Sequence, residues 1–189
     1  MKKIQFLTAT KILFVSLTAI AITSCSDDDN GPVNEEEVIT TVTTRLTNGS
    51  STITLTSRDL DGDGPNAPVF TTSGNLAANT VYNGEVRFLN ELESPAEDIT
   101  VEVEEEGDEH QVFFQIPSAL GTIGYTDFDV NAKPVGLTFT LTTGNAGTGN
   151  LTVTLRHLPN KSAAGVAAGD ITNAGGSTDA LVTYPIVIQ

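Results

Sequence analysis

Three aspartates at alternating positions, Asp59, Asp61 and Asp63, form the pattern Asp-x-Asp-Gly-Asp-Gly. The pattern matches the first half of a calcium-binding loop, because carboxylate oxygens are the ligands that this hard cation prefers. Phe70 stands at the twelfth position, where such loops carry a bidentate glutamate. The alternative is a solvated turn, since aspartate and glycine favour turns without any metal. The loop is therefore a candidate calcium site, and calcium is the cofactor that the sequence suggests.

A second group of metal-ligating side chains consists of Glu105, Glu106, Glu109 and His110. An imidazole beside carboxylates suits zinc or copper. A run of charges is also typical of a solvated surface. The alternative is therefore a soluble helix end that leads into a strand.

Catalytic motifs are missing from the sequence, which has no Gly-x-Ser-x-Gly elbow, no phosphate-binding loop ending in lysine and no His-Glu-x-x-His stretch. The second histidine, His157, has the cations Arg156 and Lys161 nearby in the sequence. We expect it at the surface or anchoring a loop, because neighbouring cations oppose a metal charge. Paired carboxylates of the glycosidase type remain a catalytic alternative among 24 acidic residues. The sequence favours a protein that is not an enzyme.

Cys25 is the only cysteine in the chain, and it follows a segment typical of a secretory signal. Three lysines precede or adjoin an apolar run of eleven residues at 12–22, which is shorter than the roughly 20 residues of a membrane-crossing helix. The run ends in Ile-Thr-Ser-Cys, which resembles a lipobox, where a signal peptidase cleaves and the cysteine thiol takes a lipid. We predict a lipoprotein signal peptide at residues 1–24 and lipid attachment at Cys25. An ordinary secretory signal is the alternative.

Residues 26–37 contain six acidic side chains and one apolar residue, so we expect residues 25–37 to form a lipidated, solvated tether. The residues after the cysteine, Ser26, Asp27, Asp28 and Asp29, resemble the export signal of surface lipoproteins of the Bacteroidota. This resemblance implies a lipid anchor in the outer membrane, with the domain facing the cell surface. The alternative is a plain acidic spacer on a lipoprotein that faces the periplasm.

The chain has 24 acidic and 9 basic residues, and removal of residues 1–24 takes away three of the lysines. The mature chain of 165 residues then has 6 basic residues and a net charge of −18. Binding to nucleic acid or anionic lipid depends on basic side chains that neutralise phosphates. The charge therefore excludes nucleic acid as an expected partner.

Twenty-eight threonines, mostly alternating with apolar residues, indicate β-strands. Residues 38–47 and 50–58 flank Asn48-Gly49, which predicts a hairpin with a type I′ turn that pairs Thr44 with Ile53. Leu137–Leu141 and Leu151–Leu155 predict a second hairpin, with a mobile loop between them. The other predicted strands are Val69–Ser73, Thr80–Asn90, Gln111–Ile116, Tyr125–Val130 and Ala180–Ile188. Pro185 indicates that the last strand lies at an edge or carries a bulge.

A short helix is predicted at residues 95–106, because Ser94-Pro95 resembles a helix start and Gly107 a helix stop. The β-branched residues at 99–103 leave a strand as the alternative there. Residues 161–179 are rich in alanine and glycine and are expected to form a loop. Short strands with one apolar face each favour a single domain at 38–189, an all-β antiparallel β-sandwich of about eight strands with one short helix. A small β-barrel is the alternative.

Several runs resemble a family of small Bacteroidota surface lipoproteins whose function is uncharacterised. They are Gly74–Leu76, Tyr82–Val86, Leu89–Thr100, Asp108–Phe114 and Arg156–Lys161. Automatic naming labels this family "type 1 periplasmic binding fold superfamily", which implies a parallel α/β sheet. The sequence lacks the alternation of strands with helices of 10 to 15 residues that such a sheet requires. The resemblance supports a lipoprotein and implies no catalytic residue.

The sequence therefore favours a surface-anchored binding module that captures a solute or metal ion for an outer-membrane partner, such as a transporter. Loops at the ends of a sandwich are common binding positions, and a lipid with a flexible tether suits a component held beside a larger membrane protein. The alternative is an adhesion or structural lipoprotein whose only ligand is another macromolecule.

Overall fold

Apolar residues alternate with threonine along most strands, and the chain folds accordingly into two antiparallel β-sheets. The computed structural model describes residues 37–62 and 64–189. Its strands are β1 (Thr41–Asn48), β2 (Ser51–Arg58), β3 (Val69–Thr72), β4 (Val81–Asn90), β5 (Glu97–Asp98), β6 (His110–Gln115), β7 (Gly121–Tyr125), β8 (Thr138–Thr143), β9 (Gly147–His157) and β10 (Ser177–Ile188). Its helices are α1 (Ile99–Glu105) and two 3₁₀ helices, Val166–Ala168 and Ile171–Asn173.

The first sheet has the strand order β3-β2-β1-β4-β8-β7, with the short β5 paired to β4, and the second sheet has the order β10-β9-β6. One core of buried residues joins the two sheets, and the Tyr184 hydroxyl in β10 donates a hydrogen bond of 2.8 Å to the Val42 carbonyl in β1. Neither sheet closes on itself. The prediction of an antiparallel β-sandwich with one short helix is confirmed.

The core consists of side chains that alternate inward along the central strands. Val86 and Phe88 of the first sheet and Val112 and Leu155 of the second are fully buried. Burial of each such side chain contributes about 1.5–3 kcal/mol to the free energy of unfolding. The same alternation, continued to the strand ends, decides which polar residues also point inward.

The first hairpin forms as predicted, with a shifted register. Thr44 pairs with Leu55 rather than with Ile53, so that Gly49 and Ser50 occupy the turn. Gly49 has a φ of 58°, as a type II′ turn requires of its first central residue. Because the partner of Thr44 moves by two residues, the same side chains still face the core.

The predicted second hairpin is wrong, because β8 and β9 lie in different sheets. Strand β8 pairs with β4 on one side and with β7 on the other, so neither of its edges is free for β9. Strand β9 instead pairs with β6 and β10. The chain therefore crosses from one sheet to the other after Thr143.

The second half of the glycine-rich run that we expected to be a mobile loop, residues 147–150, belongs to β9. Gly147 and Gly149 pair with Ile188 and Ile186 of β10. A Cβ atom on Gly149 would lie 2.4 Å from the Leu120 side chain, and one on Gly147 would lie 2.9 Å from it. Glycine is therefore needed here for the close approach of Leu120 rather than for mobility.

The helix predicted at residues 95–106 begins four residues later. Residues 97 and 98 pair with β4 as the short strand β5, and Asp98 then caps α1 by accepting a hydrogen bond of 3.1 Å from the Thr100 amide. Ile99 and Val103 are the buried residues of α1. The β-branched residues that favoured a strand at 99–103 lie in α1, and only residues 97 and 98 form a strand.

Two other boundaries differ from the sequence prediction. The strand predicted at Tyr125–Val130 lies at Gly121–Tyr125, and residues 126–130 form a loop. The segment 161–179 contains both 3₁₀ helices and covers Phe113 on the outer face of the second sheet.

Within the described residues, no helix is long and apolar enough to cross a membrane. The predicted signal peptide at 1–24, the lipid-attachment residue Cys25 and the export residues Ser26, Asp27, Asp28 and Asp29 lie outside the described residues, as does Asp63.

Candidate metal centre

Two histidines face each other across neighbouring strands at one end of the second sheet. His110 is the first residue of β6, His157 is the last residue of β9, and the two are direct partners in the ladder. Directly paired residues of antiparallel strands project to the same face. The two rings accordingly stack with centroids 4.6 Å apart and planes inclined by 20°.

Strand alternation explains why both imidazoles point inward. His110 continues the inward series of Val112 and Phe114, and His157 continues the inward series of Val153 and Leu155. The exposed fraction of the whole residue is 0% for His110 and 7% for His157. The stacked histidines therefore form a polar end to the apolar core.

A β-bulge brings a carboxylate to the two histidines. The pairing of β10 with β9 shifts between Thr178 and Ala180, which leaves Asp179 as the extra residue. A bulge of this kind redirects a side chain relative to the regular pleat. Ligand atoms of Asp179, His110 and His157 all lie within 4.8 Å of one another.

Glu37 supplies a second carboxylate to the same cluster. Its Oε1 atom lies 2.9 Å from His110 Nε2, and its side chain is 6% exposed. Glu106 adds a third carboxylate, with ligand atoms of Glu37, Glu106 and His110 within 4.8 Å of one another. Glu109 lies at the rim, 3.7 Å from His157 Nε2, and its side chain is 52% exposed.

The tautomer of His110 follows from its other ring nitrogen. Nδ1 lies 3.2 Å from the Glu106 carbonyl oxygen, so a neutral ring donates its Nδ1 proton there and carries its lone pair on Nε2. That lone pair faces the Glu37 carboxylate. Two acceptors at this distance repel each other unless a positive charge, either a proton or a metal ion, lies beside them.

Three buried polar atoms of this cluster have no hydrogen-bond partner among the described residues. They are Glu37 Oε2, His157 Nδ1 and Asp179 Oδ2, while a fourth atom, His110 Nε2, contacts only Glu37 Oε1 at 2.9 Å. Leaving one buried donor or acceptor unpaired costs about 1–3 kcal/mol, so such groups are normally paired. Three unpaired atoms on residues around the paired histidines indicate a place for a ligand that accepts lone pairs.

Burial and the neighbouring carboxylate change the proton affinity of His110 and of Asp179. Burial alone would lower the pKa of His110, but the contact with Glu37 and its negative charge outweigh burial, so the net pKa is raised. Burial, followed by repulsion from Glu37, raises the pKa of the Asp179 carboxyl. A divalent cation at this point would neutralise the carboxylates and replace the proton on His110.

The spacing of the ligand atoms is compatible with a bound ion. Zinc bonds to histidine nitrogen and carboxylate oxygen are about 2.0–2.2 Å long, so a tetrahedral shell separates its ligand atoms by about 3.3 Å. The ligand atoms of His110, His157 and Asp179 all lie within 4.8 Å of one another.

The residues predicted as the weaker metal candidate separate into three places. Glu106 and His110 belong to the cluster, and Glu109 reaches its rim at His157. Glu105 lines a groove beside α1. The prediction thus identified part of the centre.

The predicted calcium loop lies elsewhere, between β2 and β3. Asp61 Oδ2 accepts hydrogen bonds from the backbone amide of Asn66 (3.2 Å) and from its side-chain amide (2.7 Å), and these bonds lower the pKa of Asp61. Asp59 accepts a longer bond of 3.3 Å from the Asp61 amide. These bonds match the solvated-turn alternative, and calcium binding there stays a prediction.

Sequence reasoning missed Glu37, His157 and Asp179. The expectation for His157 was wrong, since the residue is buried in the cluster. Its neighbour Arg156 points to the other side of β9, and Lys161 binds Asp129 instead. The inward alternation of β9 was the signal that could have identified it. The bulge at Asp179 has no signal of this kind, and Glu37 had been assigned to the tether.

Comparison of the chain with protein-family models, with curated proteins and with solved structures finds no match.

Proposed function

We propose that this protein is a lipid-anchored binding module that captures a divalent transition-metal ion, with zinc as the type case, at the His110–His157 centre. The observation that carries the proposal is that two buried histidines and an aspartate place ligand atoms within 4.8 Å of one another at one end of the second sheet, with unpaired atoms on His157, Asp179 and the adjacent Glu37. Structural clusters of histidine and carboxylate normally satisfy each other's hydrogen bonds. Here only the Glu37–His110 pair does so among the described residues.

The donor set selects the class of metal. Imidazole nitrogens suit zinc, copper, nickel and iron, whereas calcium and magnesium prefer shells made of oxygen alone. Two histidines at the centre therefore favour a borderline transition metal. The contact of His110 Nδ1 with a backbone carbonyl is the outer-shell support that metal-binding histidines commonly have.

The number of ligands favours binding over catalysis. His110, His157 and Asp179 supply three ligands, and Glu37, which contacts His110 Nε2, supplies a fourth. Catalytic zinc sites keep one coordination position open for water, whereas sites with four protein ligands are closed. We therefore propose capture of the ion rather than a reaction at it.

The setting proposed for the centre is the outer face of the outer membrane. Lipid attachment at Cys25 and export by Ser26 and the three aspartates after it would hold the domain there. Glu37 is the residue where the predicted tether meets the centre. An outer-membrane transporter that receives the ion is the proposed partner.

The test is a titration of the mature chain, purified in detergent and freed of metal with a chelator. Zinc added to 100 times the dissociation constant should stabilise the fold by about 2.7 kcal/mol. For a chain of this size, that raises the melting temperature by about 5–10 °C. Calorimetry should give one zinc per chain.

The variant His110→Asn with His157→Asn should abolish zinc binding. A matched control, Asp59→Asn with Asp61→Asn, removes two carboxylates from the loop between β2 and β3 and should leave it unchanged. Equal zinc binding by both variants, or a parent chain that binds no zinc, copper or nickel, would contradict the proposal.

A further inference from the structure

A groove of about 430 Å³ lies between α1 and the loop 126–136. Three apolar side chains line it while remaining more than half exposed: Val101 (53%), Phe128 (57%) and Val130 (91%). Single exposed apolar residues need no explanation, but several that line one groove are typical of an interaction site. None of these side chains belongs to the metal centre.

Two aspartates hold the loop that carries Phe128 and Val130 in one conformation. Asp127 accepts hydrogen bonds of 2.7–3.1 Å from the amides of Gly136, Leu137 and Thr138. Asp129 accepts bonds of 2.8 and 2.9 Å from the amides of Asn131 and Lys133. The exposed apolar side chains are therefore presented on a fixed backbone.

One buried ammonium group joins the two walls of the groove. Lys161, 6% exposed, donates a hydrogen bond to the Gly107 carbonyl just after α1, and its other bonds go to Asp129 Oδ2 (2.9 Å) and to the Pro134 carbonyl (2.8 Å) in the loop. These three bonds use all three N–H groups of the ammonium. A surface organised before binding loses less conformational entropy when its ligand arrives.

The charge of the groove is negative. Glu104, Glu105 and Asp108 line it and form no ion pair among the described residues. Arg87 is the one basic residue of the lining, and it is engaged by Glu85 at 2.9 Å and by Asp98 at 3.6 Å. A complementary ligand therefore carries positive charge beside its apolar groups.

We propose that this groove, which we call the acidic groove, binds a short basic and apolar peptide segment of a partner protein. Small-molecule sites bury most of their ligand in a concave cavity, whereas here the apolar side chains stand exposed on two opposing walls. Aliphatic or aromatic side chains of the segment lie against Val101, Phe128 and Val130, and its lysine or arginine residues face Glu104, Glu105 and Asp108. The inference is independent of the metal centre, because no ligand of the ion lines the groove.

The probe is a fluorescein-labelled heptapeptide of alternating lysine and leucine, with a second peptide in which glutamate replaces every lysine. Fluorescence anisotropy measures binding of each peptide to the mature chain at low and at high salt. We expect the lysine peptide to bind, the glutamate peptide to bind at least tenfold more weakly, and the difference to shrink as salt screens the charges.

Two variants separate the apolar and the charged contributions. Phe128→Ser with Val130→Ser, and Glu104→Gln with Glu105→Gln, should each weaken binding of the lysine peptide at least tenfold. The matched control is Val69→Ser with Leu181→Ser, which removes two similarly exposed apolar side chains (62% and 64%) on β3 and β10. All three variants should retain the parent's zinc binding and circular dichroism, because they change exposed side chains only.

Three results would overturn the proposal. The first would be that the lysine peptide does not bind the parent chain, or that it binds both groove variants as tightly as it binds the parent. The second would be that the control variant loses as much affinity for the peptide as the groove variants do, which would show nonspecific adhesion. The third would be that the parent chain dimerises in light scattering and the Phe128→Ser, Val130→Ser variant does not, which would assign the acidic groove to a second copy of this chain.

Discussion

Glu37 and His110 are distant in the sequence, yet the carboxylate of one lies 2.9 Å from the imidazole of the other in a place almost closed to water. The pair needs a positive charge, which either a proton or a metal ion can supply. Protons and metal therefore compete for one atom, His110 Nε2.

The stability of the metal-free chain should fall as the pH rises through neutrality. The pKa of His110 is raised above its unfolded value of about 6.5, so the pair stabilises the fold fully below that pH and loses its contribution as His110 deprotonates. Melting temperatures with chelator from pH 5.5 to 8.5 measure this. Zinc binding should strengthen over the same range. A His110→Gln variant that keeps the same pH dependence would contradict the assignment.

Asp179→Asn should stabilise the metal-free chain at pH 7 while weakening zinc binding. The pKa of Asp179 is raised by burial and by repulsion from Glu37, so its ionised form disfavours the fold, and that cost appears as the pH rises. We expect the free energy of unfolding to rise by about 0.5–1 kcal/mol, comparable to the contribution of one surface charge pair. We also expect at least a tenfold loss of zinc affinity. A chain that is destabilised by Asp179→Asn would indicate a structural role instead.

Lys161→Met should lower the free energy of unfolding by about 3–5 kcal/mol, because it leaves the carboxylate of Asp129, 1% exposed, buried without its partner. Adding Asp129→Asn should restore part of the loss. Urea unfolding measures both. The control is Lys133→Met, which removes a lysine that forms no ion pair among the described residues. An effect as large in the control would rule out a special role for the buried pair.

Calcium and magnesium should be compared on the loop of Asp59, Asp61 and Asp63. If the loop chelates calcium, excess calcium raises the melting temperature more than magnesium does, and Asp61→Asn with Asp63→Asn removes the difference. Equal shifts with both ions would reflect screening of a strongly acidic chain. They would leave the loop as a turn held by Asn66.

Cys25→Ser should prevent lipidation, because the variant lacks the thiol that takes the lipid. The chain should then be released in soluble form, because stable anchoring to the membrane depends on acyl chains. Fractionation of washed membranes measures this.

Replacing Asp27, Asp28 and Asp29 with alanine should keep the lipid but protect the domain from protease added to whole cells. Equal digestion of mutant and parent would argue against export.

The sequence predicted the strands well, because threonine alternating with apolar residues is a local pattern. It failed where a strand's partner depends on distant residues. Leu137–Leu141 and Leu151–Leu155 look like a hairpin, but β4 and β7 already occupy both edges of β8. The residues of these two segments alone do not show that both edges of β8 are occupied.

The metal centre shows the same limit. His157 was judged by the cations beside it in the chain, whereas its neighbours in space come from the next strands. His110 and Glu106 were identified because they are close in the sequence. Asp179 depends on a register shift between two strands, which only the assembled sheet determines.

Pro185 lies in β10, which is an outer strand of the second sheet. Val187 accepts a hydrogen bond from Leu76, and Gln189 donates one to Leu76, so the odd-numbered residues here direct their backbone groups away from β9. The missing N–H of Pro185 therefore falls on the side of the strand that faces away from β9, just before the part bonded to Leu76. A strand from a neighbouring molecule would find no donor at this position. Where many copies are crowded together on a surface, the missing donor at Pro185 opposes their polymerisation through strand addition.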